Sequence, residues 1–340
     1  EWERHRGVDA IGRQPDIGVL CVPDLDWQWS GSPPAPSSST VRRVTSGEFE
    51  CCATTSELDS VAAQVQQTRL DPRDPGDLEE LTHRQQRVLE VAMLRRRFVV
   101  LFDVPSGLPM ASILRWRARF DSGFAAAYHP WLGVPRGATP ARTIVDVPPS
   151  AFAAGILAAR ENRYGIPWGP ANELGAGAVV AADDVSDAMH DQLHLAGVNV
   201  FRVERDGFRL SAARTMSRDP DYRQLSVRRL MTMLELTIER QAQWLVFEPN
   251  NEALRRNLTF AITQMLRQLQ RGGAFAGDTD ADSFFVRCDD TLNPRASQEL
   301  GRLIAEVGVA PASPLEYLVL RITQDQTGGV QVVPAAAGGG

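Results

Sequence analysis

The chain contains no lysine: all 36 of its Lys+Arg positions are arginine. That absence excludes chemistries that need an amine, such as the P-loop phosphate lysine, a Schiff base or a lysine general base. Cysteine is scarce, with four residues (Cys21, Cys51, Cys52 and Cys288) in a chain of 340. The adjacent pair Cys51–Cys52 has neither a zinc spacing nor a C-x-x-C redox spacing, so free thiols in a reducing compartment are expected. Net positive charge is lacking too: the formal charge is −6 and the pI about 5.5. A nucleic-acid partner needs a concentrated basic face and is therefore not expected. No apolar run approaches the ~20 residues of a membrane span, and no signal peptide opens the sequence. These absences favour a reducing, cytoplasmic compartment and no membrane contact. Residue 1 is Glu rather than Met, and the numbering is expected to begin inside a longer protein.

What is present is enough apolar residue, 43 %, for one large core or two modest ones. "IGVLCVP" (17–23), "RRRFVVLFDVP" (95–105) and "FAAAYHPWL" (124–132) read as buried strands. Helices are expected around 56–68, 77–96, 108–120 and 148–163, the third opened by Pro109 and the fourth by proline at its start. Residues 30–40, "SGSPPAPSSST", read as linker or surface loop. Further on, Asp183 or Asp184 is expected to cap a helix carrying Val185, Met189 and Leu193. Asp206-Gly207 signals a hairpin. Helices follow near 222–243 and 251–271, the latter ended by Gly272-Gly273. "WLVFEPN" (244–250), "SFFVRCD" (283–289) and "RLIAEVGVAP" (302–311) read as strands. The pattern predicts an α/β fold with a mixed, mostly parallel sheet covered by helices. No internal repeat is evident.

The end of the chain poses a question. In "EYLVLRITQDQTGGVQVV", Leu318, Leu320 and Ile322 point one way in an extended chain, and Tyr317, Val319 and Arg321 the other. A Gly-Gly pair and a second apolar run, Val330 to Val333, follow, with nothing left to cover them. An exposed strand edge is a hazard in a monomer and an asset in a polymer.

No site for chemistry emerges. His190 and His194 have a chelating i,i+4 spacing but lack the H-E-x-x-H base, which favours a packing role. Cys288 reads as a buried strand thiol. "DTDAD" (278–282) lacks the Gly and distant Glu of a calcium loop. "GAGAVV" (175–180) has no G-x-G-x-x-G. "GIPWGPANE" (165–173) is a rigid loop that either anchors itself or binds a partner through Trp168. No catalytic residue, cofactor or metal is expected.

Three stretches carry a resemblance: "VPPSAFAAGILAARENRYGIPWGPANE", the run from "GVNVFRVERDGF" to "QWLVFEPNNEALRRN", and "FFVRCDDTLNPRASQELGRLIAEVGVAPASPLEYLVLRI". From about Pro148 to Ile322 the sequence resembles the tail sheath proteins of contractile phages and related injection systems. Residues 1–147 fit more loosely, as a first α/β half with an insertion around 23–76. The resemblance divides the chain into 1–147, a family-typical half at 148–314, and a strand and flexible arm at 315–340. It implies a structural subunit, not an enzyme, that stacks in hexameric rings around an inner tube and contracts to drive it through an envelope. Implied partners are neighbouring sheath subunits, the tube, and baseplate and cap components. It further implies exchange of Tyr317, Leu318, Val319, Leu320, Arg321, Ile322, Val330 and Val332 between subunits, hinged at Gly328 and Gly329. The family's N-terminal arm either precedes residue 1 or is missing. Candidate tube contacts are Arg228, Arg229, Arg255, Arg256, Arg267 and Arg271. The competing readings are a soluble nucleotide-type α/β protein and a sheath-capping or terminator component.

Overall fold

The computed structural model describes residues 7–29, 67–136, 143–312, 318–324 and 330–334. Helix α1 (Val8–Ile11) precedes β1 (Val19–Cys21), β2 (Trp27–Trp29) and β3 (Gln67–Arg69). Then come α2 (Pro75–Arg95), β4 (Val99–Asp103), α3 (Met110–Arg117), β5 (Ala125–His129), β6 (Leu132–Arg136) and β7 (Thr143–Val147). They are followed by α4 (Pro149–Tyr164), β8 (Val180–Ala181), α5 (Asp187–Leu195), β9 (Val198–Glu204) and β10 (Gly207–Leu210). The C-terminal part holds α6 (Leu225–Gln241), α7 (Glu252–Arg271), α8 (Asp280–Ser283), β11 (Phe284–Arg287) and α9 (Arg295–Glu299). Three strands end it: β12 (Leu303–Val309), β13 (Leu318–Gln324) and β14 (Val330–Pro334).

The main sheet runs β1-β4-β5-β9-β10; the first three pairings are parallel and the β9–β10 hairpin is antiparallel. Its strands read as unbroken apolar runs because helices cover both faces. On β4, Val100 and Phe102 pack with α2, α3 and α5, while Val99 and Leu101 pack with α4. This is the mostly parallel α/β body that the pattern predicts. A second core joins α6, α7, β11 and β12.

Several boundaries differ from expectation. Ser186, not Asp183 or Asp184, caps α5, accepting the Met189 N–H, and Val185 precedes the helix. "WLVFEPN" is not a strand: Gln243–Phe247 forms a 3₁₀ turn off the end of α6. Its backbone is satisfied locally, by Leu245 N–H on Ala242 O and Glu248 N–H on Leu245 O, so it needs no neighbouring strand. The helix expected at 56–68 falls mostly outside the described residues, and Gln67–Arg69 is strand, paired antiparallel with Trp27–Trp29. That ribbon closes the base of the insertion. Arg84 fastens it, donating Nη1 to the carbonyls of Leu25 and Trp27. The linker at 30–40 lies outside the described residues.

Helix α4 begins after Pro148, which has no capping side chain. Asp103, at the end of β4, supplies the cap from another element. Its carboxylate accepts the Ser150 N–H and the Ser150 hydroxyl, each at 2.7 Å. Burial pushes this carboxyl up to about 7, against the lowering effect of the two hydrogen bonds. A raised carboxyl binds its proton more tightly in the folded state. Its contribution is therefore complete below pH about 4 and lost as pH rises through about 7. Asp103→Asn is expected to flatten the stability profile between those limits. Asp103→Ala is expected to cost about 1–3 kcal/mol through the orphaned Ser150 donors. Urea unfolding across that pH range checks both.

Candidate assembly surfaces

Four antiparallel strands, β11-β12-β13-β14, form the C-terminal sheet. Alternate residues of β12, Leu303, Ala305, Val307 and Val309, enter the core beneath it. On the other face Arg287 reaches Glu306 at 2.8 Å. Gly308 leaves room for the ring of Phe285 opposite, because a Cβ there would lie 2.1 Å from that ring. All seven residues of β13 pair with β12, and β14 pairs with β13 from Leu320↔Pro334 to Gln324↔Val330. The terminal strand thus has a partner within its own chain. The expectation of a tail with no home is corrected: pairing with β12 satisfies a backbone edge that would otherwise be bare. Among the described residues, β14 is left as the outer strand, running beside α6. Tyr317, Gly328 and Gly329 lie outside the described residues.

The six candidate arginines separate into two groups. Arg228, Arg229 and Arg255 are buried and paired, so they are corrected as exposed contacts. Arg228 donates to Glu235 at 2.9 Å and lies between the rings of Phe124 and Tyr222, 4.5 and 4.6 Å from their centroids. Arg229 pairs with Glu161, and Arg255 with Asp290 at 2.7 Å. Each sits on the inward side of its helix, where a carboxylate replaces lost water. Arg256 and Arg271 are exposed and Arg267 half-exposed. Arg256 pairs with Glu252 one turn back, and Arg267 with Asp280 at 2.6 Å. These outward arginines share α7 with Phe260, which is 66 % exposed.

One feature of α6 had no signal in the sequence. Glu235 is reached both by Arg228 and, at 3.3 Å, by Arg96, which caps the end of α2 just before β4. Arg97 meets Glu239 at 3.3 Å, Glu161 meets Arg229, and Asp16 meets Arg240 at 3.0 Å. The helix whose apolar stripe belongs to the C-terminal core is thus fastened to the main body by its charged residues. A cleft of about 520 Å³ runs between α6, α4 and the start of β1.

The remaining motifs take structural places. His190 Nε2 and Ser211 Oγ lie 3.0 Å apart, and its ring stacks on His194 with centroids 5.8 Å apart. Burial, then Arg214 and His190, push His194 down from its usual range. Cys288 is half-buried, and burial pushes its thiol up to about 11, so it is no nucleophile at neutral pH. Thr279 caps α8, placing "DTDAD" at a helix start. No cluster of three or more metal-ligating residues occurs among the described residues. Gly175 donates its N–H to Phe208 O, anchoring the 175–180 loop to β10. No described helix is long and apolar enough to cross a membrane.

Two family models match in register with this architecture: the phage tail sheath protein central domain over 76–216 and the phage tail sheath C-terminal domain over 217–325. The chain belongs to the phage tail sheath family. The sheath central domain begins within a residue of α2 and carries the rest of the main sheet, and the sheath C-terminal domain carries α6 onward, so the ion pairs of α6 cross between the two. Among curated sheath proteins, that of Enterobacteria phage T4 is 27 % identical over 54 % of this chain and 28 % of its own length. That of Vibrio phage KVP40 is 28 % identical over 43 % of this chain and 21 % of its own. The chain thus spans between a fifth and a third of the curated sheath relatives it matches. Among solved structures, the helical sheath of the anti-feeding prophage in its contracted state is 28 % identical, with TM-score 0.59. It covers 74 % of this chain and 68 % of that one. The contracted sheath complex of an extracellular contractile injection system, PVC, is 26 % identical, with TM-score 0.61 over 67 % of this chain and 65 % of that one.

Proposed function

We propose that the chain is a subunit of a contractile sheath: it polymerises in stacked hexameric rings around an inner tube and shortens to drive that tube through a target envelope. The observation that carries this reading is the likeness to a helical sheath in its contracted state over 74 % of the chain. The role is structural. Contraction needs two packings of one body differing by a few kcal/mol per subunit, summed over the lattice. Electron microscopy of the purified chain tests it: long striated cylinders are expected, and small discrete particles would reject it. Short isolated rings would favour a cap or baseplate-associated relative, a role in keeping with the likeness to the anti-feeding prophage baseplate, TM-score 0.60.

The β13–β14 hairpin supports exchange between subunits. Its ladder rests on backbone hydrogen bonds with little demand on sequence, so a neighbour's strand can take the same register. The in-chain pairing makes this a swap of equal partners rather than the filling of an empty edge. In the same reading the insertion around 23–76 faces outward as a decoration, and assembly takes place in the bacterial cytoplasm. Baseplate and cap components meet the ends of the sleeve.

Tube contact falls to the outward face of α7. Arg256→Glu with Arg271→Glu is expected to leave stability within about 0.5 kcal/mol, as exposed substitutions do. It is expected to abolish co-sedimentation of the sheath with tube. Normal co-sedimentation of the double variant would reassign the tube-facing surface.

A further inference from the structure

We propose that the corner formed by Tyr164, Trp168 and Arg163 is a docking surface for a second copy of this chain, which seats the acidic segment around Asp184 there. The inference rests on the sheath reading and adds a specific contact to it.

The corner is rigid and half-bare. Tyr164, at the end of α4, is 49 % exposed, and Trp168, in the loop after it, is 47 % exposed. Their ring centroids lie 6.0 Å apart. Arg160 and Arg163 bracket the tyrosine at 5.2 and 5.8 Å. The loop is pinned at both ends. Gly165, at φ 94°, turns the chain out of the helix, and the Asn172 N–H bonds to Leu210 O at 2.7 Å. Arg160 is held by Glu173. Little ordering entropy is therefore left to lose on binding, and Trp, Tyr and Arg are the residue types that dominate interface energies. Beside the corner, the outer side of α4 opens into an apolar groove of about 410 Å³. Phe152, Gly155, Ala159 and Leu174 line it, together with Arg163 and the paired Arg160 and Glu173.

Charge complementarity and exposed apolar neighbours together select the occupant. Arg160 has its carboxylate, but Arg163 has no ion-pair partner among the described residues. On the same chain, exposed Asp184 likewise has no ion-pair or hydrogen-bond partner among the described residues. It follows Val179 and Val180, which are 56 % and 41 % exposed. An unpaired guanidinium beside an apolar groove and an unpaired carboxylate beside exposed valines are complementary, and they do not meet within one copy. Complementary patches at different places on one molecule make a head-to-tail contact, which propagates rather than closes. A helical lattice uses contacts of that kind.

The test is charge exchange combined with cross-linking. Arg163→Glu and Asp184→Arg are each expected to fold with an unchanged melting temperature and to form no cylinders where the parent chain does. The double variant is expected to recover them. A photoreactive phenylalanine at position 168, in cylinders mixed from light and heavy-isotope chains, is expected to capture the peptide around Asp184 of another copy. Parent-like cylinders from Arg163→Glu would overturn the proposal, and so would capture confined to other peptides. Failure of the parent chain itself to form cylinders would instead reject the sheath reading, and this contact with it.

Discussion

Glu235→Gln is expected to lower the unfolding free energy by about 3–5 kcal/mol, the range for removing one partner of a buried ion pair. Glu235 is 7 % exposed and its partner Arg228 3 %. Amidation keeps the shape but removes the charge that the Arg228 guanidinium needs between Phe124 and Tyr222. The second partner, Arg96, is 39 % exposed and can turn to water, so most of the cost falls on Arg228. Replacing both members of the buried pair, with Arg228→Met and Glu235→Leu, is expected to be far milder, because no uncompensated charge remains. Chemical unfolding of the two single variants and the double variant gives the coupling directly. If Glu235→Gln proves as stable as the parent, the buried pair Arg228–Glu235 is not what holds the Arg228 guanidinium between Phe124 and Tyr222.

The second large effect concerns the tail. Deleting residues 330–340 removes β14, an outer strand, and leaves β13 fully paired with β12. The body is therefore expected to fold. The deletion also removes a ladder of five residue pairs, each hydrogen bond worth about 0.5–1.5 kcal/mol net. If that ladder forms between copies, the critical concentration for assembly rises at least about tenfold, since 1.4 kcal/mol is a factor of ten. Sedimentation over a concentration series measures it. A deletion from 318 onward would expose β12 as well and is expected to aggregate rather than assemble.

The body of the fold was legible where pattern dictates it. Continuous apolar runs marked β4 and β5, because a sheet covered on both faces needs no alternation. Prolines and Gly272-Gly273 marked helix ends. The sequence misled where a local solution competed. "WLVF" has strand composition, but it follows α6 directly and its backbone closes on itself as a 3₁₀ turn. The arginines of α6 read as candidate tube contacts because much of what buries them is distant in sequence: Arg229 meets Glu161, 68 positions away, and Arg228 lies against Phe124. Asp103 gave no capping signal for the same reason, sitting 47 positions before the serine it serves. The tail was legible as strand, but its pairing was not, since a two-residue period fixes which side chains share a face and not which strand lies alongside.

Ala305 and Ile322 stand directly opposite on β12 and β13. One chain carrying only Ala305→Cys and another carrying only Ile322→Cys, both with the native thiols replaced, can be assembled together and oxidised. Strand exchange in a sheath predicts covalent dimers joining the two kinds of chain within the cylinders. Cylinders that yield no such dimers, while a single chain bearing both cysteines closes its own disulfide, would contradict it.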